Sequence, residues 1–133
     1  MYLVDTNVWL ELLLKQEKAE EVRKFFESVE AHLLAITEFS LYSIGIILTL
    51  LNKDDVFEDF LSDTIEDSGV MRIRLDAGGL KQLLSVRQRF QMDFDDAYQY
   101  TTAEKYNLIL VSFDSDFDRT ERGRKTPHEV LKE

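Results

Sequence analysis

Cysteine is absent from the 133 residues, which excludes disulfides, thiolate chemistry and zinc sites built on cysteine. Imidazole is limited to the widely separated His32 and His128, so no histidine cluster is available for a metal or a triad. Proline occurs once, at Pro127, and glycine five times, with no Ser/Gly linker, repeat or low-complexity tract. A single element-dense domain over residues 1–133 is expected. Positive charge is scarce: 16 Lys+Arg stand against 26 Asp+Glu, giving a net charge of −10 and a pI near 4.7. Such a field repels phosphate, so broad adhesion to nucleic acid or to an anionic membrane is disfavoured, and any phosphate-handling site needs local cations. Long apolar runs are missing too. The longest, residues 41–51, is about half of the roughly 20 residues that span a bilayer. The apolar start breaks at Asp5, so neither a targeting segment nor a membrane partner is expected, and the location is read as cytoplasmic.

What is there alternates between short apolar runs and amphipathic helices. Tyr2, Leu3 and Val4 form a buried run that stops at Asp5, as a central strand does on reaching a polar loop. Val22, Phe25, Phe26 and Val29 recur at helical spacing opposite charged residues. Thr37 is placed to cap a helix running to about Leu51, and Val56, Phe57, Phe60, Leu61 and Ile65 mark another. Met71, Ile73 and Leu75 alternate with Arg72 and Arg74, the period of a half-exposed or edge strand. Asp76 can cap a helix bearing Leu80, Leu83 and Leu84, and Asp93 can cap one running to about Tyr106. The run from Leu108 to Val111 suits a strand covered on both faces, hence a parallel sheet. Thr126, Pro127 and Glu129 spell a capping box for a short last helix. The order β-α-α-α-β-α-α-β predicts an α/β fold, a central parallel sheet with helices on both faces.

Ligands of such sheets bind at the carboxyl ends of the strands. Acids fall there: Asp5 after the first strand, and Asp114, Asp116 and Asp118 after the last. Glu38 and Asp96 stand in first turns of helices, where the helix dipole favours an anion. Each acid also has a structural role open to it. Asp5 can form an Asx-turn, Glu38 can complement a dipole, Asp96 can pair with Asp93 in capping, and Asp116 and Asp118 can lie in a solvated loop. Four segments delivering a carboxylate to one rim nevertheless point to one site. Hard oxygen donors without His or Cys select Mg²⁺ or Mn²⁺.

The segments LVDTNVWLELL, AITEFSLYSIGIIL and DDAYQYTTAEKYNLILVSFDSDF resemble the PIN-domain nucleases, particularly the small prokaryotic toxins of the VapC type, over residues 1–117. The resemblance implies a PIN-like three-layer fold and an acidic quartet of Asp5, Glu38, Asp96 and Asp114, with Asp116 as a fifth, water-mediated metal ligand. Asp96 is preferred because it precedes the small Ala97; Asp93 and Asp95 are the alternatives. Asn7 and Ser112 fall where the family places polar contacts to the metal site or the substrate phosphate. The stretch from Arg119 to Lys125 departs from the pattern, being too polar for the buried final strand often found there. The implied activity is Mg²⁺- or Mn²⁺-dependent endoribonucleolytic hydrolysis, by a toxin with an antitoxin partner or by an RNA-processing enzyme. Arg119, Arg122, Arg124 and Lys125 are the candidate local cations for RNA, with a solvated turn as their other reading. The apolar helix from Thr37 predicts a homodimer. Two other classes compete: a receiver-like Mg²⁺-binding signalling domain, and a catalytically silent PIN-like module for RNA or protein binding.

Overall fold

A computed structural model describes all of residues 1–133. Four parallel strands, β1 (Tyr2–Val4), β2 (Leu34–Thr37), β3 (Met71–Ile73) and β4 (Ile109–Val111), form a sheet in the order β3-β2-β1-β4. Helix pairs join successive strands: α1 (Thr6–Leu13) and α2 (Ala19–Ser28), α3 (Glu38–Leu50) and α4 (Asp54–Phe60), α5 (Ala77–Phe90) and α6 (Phe94–Tyr106). The short α7 (Pro127–Leu131) closes the chain. The expected parallel α/β architecture is present, with β3 at an edge as its alternation predicts.

Strand alternation sorts the core into two layers. Leu3, Ala35 and Leu110 face α5 and α6, packing with Leu83, Val86, Ala97, Tyr100 and Phe117. Val4, Leu34, Ile36 and Val111 face the other way, onto Val8, Trp9, Phe25, Leu41, Ile44, Leu48 and Val130. Every β1 residue pairs on the β4 side and Tyr2 and Leu3 pair on the β2 side, so the first strand is central.

The predicted caps fare differently. Asp76 Oδ1 accepts from Gly79 N at 2.8 Å, and Thr126 and Glu129 close the capping box. Asp93 occupies the N-cap of α6 but its side chain makes no cap hydrogen bond. Two elements are additional to the sequence reading. Helix α1 starts directly at Thr6, where a polar loop was expected, with Asp5 as its N-cap. Strand β2 abuts α3 so closely that Thr37 both ends the strand and caps the helix, its Oγ1 accepting from Ser40 N at 2.9 Å. Residues 61–66 extend α4 as a π-helical turn. The polar segment before α7 adds a single bridge beyond β4, Lys125 pairing with Val111, rather than a full buried strand.

Candidate active site

The sheet order reverses between β1 and β4: the chain steps from β1 outward to β2 and β3, then crosses back to place β4 on the far side. At such a switch point the connections leave in opposite directions and open a crevice at the strands' carboxyl ends. A cleft of about 350 Å³ lies at this end of the sheet, lined by Asp5, Thr6, Asn7, Phe39, Ser43, Ile47, Asp95, Asp96, Gln99 and Asp114.

Asp5 is buried, and four donors hold it. Thr6 N (2.8 Å) and Gln99 Nε2 (3.0 Å) donate to Oδ1; Ser112 Oγ (2.7 Å) and Asn7 Nδ2 (3.4 Å) donate to Oδ2. Burial pushes the Asp5 carboxyl above its ordinary range, while the Ser112, Gln99 and Thr6 donors pull the other way and Asp114 adds to the rise. Ser112 ties the two strand ends together, since its Oγ also accepts from Asp114 N at 2.9 Å and from Asn7 Nδ2 at 3.2 Å. Asn7 Oδ1 accepts from Phe113 N at 3.2 Å. Asn7 and Ser112 thus fix Asp5 and Asp114 relative to each other.

Carboxylate oxygens of Asp96, Asp114 and Asp116 lie within 4.8 Å of one another. Asp96 is half-buried, and its carboxyl is pushed up to about 7, first by burial and then by the negative charges of Asp114, Asp95, Asp5 and Asp116. Crowded carboxylates without histidine or cysteine suit a hard divalent cation, which would offset their repulsion.

Glu38 stands apart from this group. It does not line the cleft, and its nearest charged partner is Arg72, Nε to Oε1 at 3.8 Å. From α3 the cleft is lined instead by Phe39, Ser43 and Ile47, and fully buried Ser40 Oγ accepts from Thr6 Oγ1 at 2.7 Å and from Gln99 Nε2 at 2.9 Å. Gln99, Ser40 and Thr6 were not singled out by the sequence reading. A signal for Gln99 existed: it sits three residues after Asp96 on the same helix, in a run otherwise buried.

The four cations do not join the acids in the cleft. Arg119 donates to Gln91 O at 3.2 Å, and Arg122 to Asn107 Oδ1 at 3.2 Å and Leu108 O at 3.1 Å. Arg124 grips Asp118 with two nitrogens and Ser112 O with a third, and Lys125 pairs with Glu133. Arg122, Arg124 and Lys125 line a separate cleft of about 390 Å³ with Tyr100 and Leu108.

The PIN domain family profile matches residues 2–123, and the chain belongs to the PIN-domain family. That membership sets aside the receiver-domain alternative. No curated protein matches the chain in sequence. Among solved structures the fold is similar to a toxin-antitoxin complex from Klebsiella pneumoniae, at TM-score 0.77 and 19% identity, covering 97% of this chain and 99% of that one. It is similar to FitAcB from Neisseria gonorrhoeae at TM-score 0.75 and 21% identity, covering 96% and 98%. A third similarity is to Mycobacterium tuberculosis VapC20, described as a sarcin-ricin loop cleaving toxin, at TM-score 0.79 and 16% identity, covering 92% and 96%. No helix is long and apolar enough to cross a membrane.

Proposed function

We propose that the protein is a divalent-cation-dependent endoribonuclease, the cytoplasmic toxin of a toxin-antitoxin pair. The observation that carries this reading is the convergence of Asp5, Asp96 and Asp114 on the cleft at the β1/β4 switch point of a PIN-domain fold, with a carboxylate oxygen of Asp116 within 4.8 Å of those of Asp96 and Asp114. The antitoxin partner is inferred from the toxin-antitoxin complexes among the structural relatives.

Asp96, Asp114 and Asp116 would hold Mg²⁺ or Mn²⁺. When bound, such an ion supplies an acidified water and charge neutralisation at a scissile phosphate. The chain's own residues do the rest. Asp5 faces the same cleft from the β1 end and orients the attacking water, while Asn7 and Ser112 hold Asp5 and Asp114 in register. Arg119, Arg122, Arg124 and Lys125 are proposed as contacts to the RNA backbone away from the cleaved bond. This gives an acidic protein the local cations that phosphate requires. The test is cleavage of labelled RNA by the purified protein with Mg²⁺ or Mn²⁺. Activity lost in EDTA and restored by excess Mn²⁺ is the expected result. Undiminished cleavage in EDTA overturns the metal requirement, and no cleavage of any RNA with metal present favours a silent binding module.

The protein is further proposed to be a homodimer through α3. That helix buries Leu41, Ile44 and Leu48, turns Phe39, Ser43 and Ile47 to the cleft, and leaves Tyr42 (62%), Ile46 (60%) and Leu50 (77%) exposed at i, i+4, i+8. Sedimentation at micromolar concentration should show a dimer that Ile46→Glu converts to monomer. Because Ile46 is exposed in the single chain, the substitution should change monomer stability by less than about 0.5 kcal/mol. A parent sedimenting as a monomer contradicts the interface.

A further inference from the structure

We propose that Phe39 and Phe94 form a stacking shelf that takes one unpaired nucleobase of the RNA beside the scissile phosphate, so that the protein selects RNA that is single-stranded at the cut. The proposal rests on the nuclease reading of the neighbouring acids and adds to it what holds the substrate there.

The need for such a shelf follows from charge. The chain carries −10, its clustered acids repel phosphate unless a cation offsets them, and no residue that lines the cleft is basic. Attraction for RNA near the cut must then come from the uncharged part of a nucleotide, its base. Bases bind proteins with little regard to sequence by stacking on aromatic rings, and a base must leave its duplex partner to do so.

One wall of the cleft is built for it. The lining carboxylates come from the chain after β1, from α6 and from the chain after β4, whereas α3 contributes Phe39, Ser43 and Ile47, spaced i, i+4 and i+8 and all without charge. Phe39 is half-buried and backed by Tyr98, which stacks on it with ring centroids 5.3 Å apart and planes at 26°. Tyr98 is itself fixed, being buried, with its Oη accepting from Leu75 N at 2.8 Å. One face of Phe39 is thus taken and the other is left for the cleft it lines. A base laid there extends a stack that is already ordered, which spares the entropy of arranging it. Phe94 lies beyond the lining, its ring 6.0 Å from Phe39 and 6.4 Å from Tyr98. It is 47% exposed, so it gives little to the core, and it carries the aromatic surface outward from Phe39. As the first residue of α6 it shares a helical turn with Asp96, which sets the shelf beside the acids that would handle the phosphate of the same nucleotide.

The experiment uses a labelled single-stranded RNA that the full chain cuts at one mapped bond, the same RNA annealed to its complement, and copies with an abasic ribose on either side of the cut. Phe39→Leu and Phe94→Leu, which stay apolar but lose the ring, should each raise KM about tenfold with kcat within about threefold. Phe94→Tyr, which keeps the ring, should match the parent. One of the abasic substrates should raise the parent's KM about tenfold and that of Phe39→Leu by less than about threefold, because base and ring are two ends of one contact. The annealed RNA should be cut at least about tenfold more slowly than the single strand. Fluorescence anisotropy in the slowly cleaving Asp114→Asn chain should reproduce the same cycle as binding, apart from turnover. Rings that serve only the fold would lower Tm and leave the abasic penalty unchanged in the Leu variants. That result, parental KM in both Leu variants, or equal cutting of duplex and single strand overturns the shelf while leaving a nuclease in place. A Phe94→Leu chain that changes its sedimentation but not its KM assigns the face to a second copy of the chain and overturns the proposal too. Should Phe39→Leu fail to fold, the exposed Phe94 variants and the abasic substrates still decide. A parent that cuts no RNA with metal present overturns the nuclease reading itself, and this proposal with it.

Discussion

Asp114→Asn lowers RNA cleavage about a thousandfold, or ~4 kcal/mol of activation free energy, while Glu38→Gln cleaves within about threefold of the parent. These are the expected results, and the contrast between them is the sharpest consequence of the site's geometry. Asp114 lies at the carboxyl end of β4, lines the cleft, and brings a carboxylate oxygen to Asp96 and Asp116. Asparagine keeps the acceptor that Asp114 Oδ1 offers to Asp116 N at 2.9 Å, so the turn survives while the charge is lost. Glu38 occupies the first turn of α3 but turns its carboxylate to Arg72 on β3, and both side chains of that pair are exposed enough for water to screen it. Its neutralisation therefore removes a surface pairing of about 0–1 kcal/mol and leaves the cleft intact. Initial rates on labelled RNA, with circular dichroism confirming equal folding, measure both. A Glu38→Gln loss approaching that of Asp114→Asn would return Glu38 to the acidic group and overturn the arrangement proposed here.

That Glu38 groups with the strand-end acids in the sequence yet lies outside the cleft lining in the structure is a matter of helix phase. Each residue advances about 100° around a helix, so Ser40 lies about 200° round from Glu38. The buried stripe of α3 passes through Ser40, Ile44 and Leu48, at i, i+4, i+8. Position 40 faces inward; position 38 does not. The proximity of an acid to a strand end is visible in sequence, but its direction depends on which stripe the core claims. An α3 apolar on nearly every side conceals that stripe. Strand β2 was hidden for a related reason: it consists only of Leu34, Ala35, Ile36 and Thr37 and runs straight into the helix, and a run this short has no period of its own. Helix α1 was masked by Asp5, Thr6 and Asn7, which spell a turn yet serve as an N-cap and first turn. Elements with a single apolar stripe and a capping side chain, such as α5 behind Asp76, were legible because local chemistry and burial agree. The acids at the ends of β1 and β4 were legible for another reason: position in an α/β chain already determines the rim they occupy. The network of Gln99, Ser40 and Thr37 joins residues up to 62 positions apart, and no local pattern announces such a contact.

Metal-free protein should lose thermal stability as pH rises from about 4 to about 7, the reverse of the usual behaviour of carboxylates that gain a partner on folding. The sign follows from Asp96. Its folded pKa is raised from 3.8 to about 7, so between those values the folded chain holds a proton that the unfolded chain releases. Raising the pH through that window favours the unfolded state, and above it the penalty is complete. Burial moves buried Asp5 in the same direction. Asp76 and Glu129, lowered by their cap hydrogen bonds, contribute stability that is lost only as pH falls below their ordinary range, so they do not mask the slope in this window. Because Asp96 is only half-buried and water screens it, a fall of about 5 °C in Tm is the expected size. Asp96→Asn should flatten much of the slope, melt at or above the parent at pH 8 in EDTA, and abolish cleavage, since the charge that destabilises the empty cleft is the one that holds the cation. Mg²⁺ should raise the parent's Tm most at the alkaline end, where the carboxylates are fully ionised. The measurement is thermal melting in EDTA and in Mg²⁺ across pH 4 to 8, with Asp95→Asn as the exposed neighbour for comparison. A parent whose Tm climbs through the window, or an Asp96→Asn chain less stable at pH 8 yet still cleaving RNA, would make Asp96 a residue of the fold and not of the site.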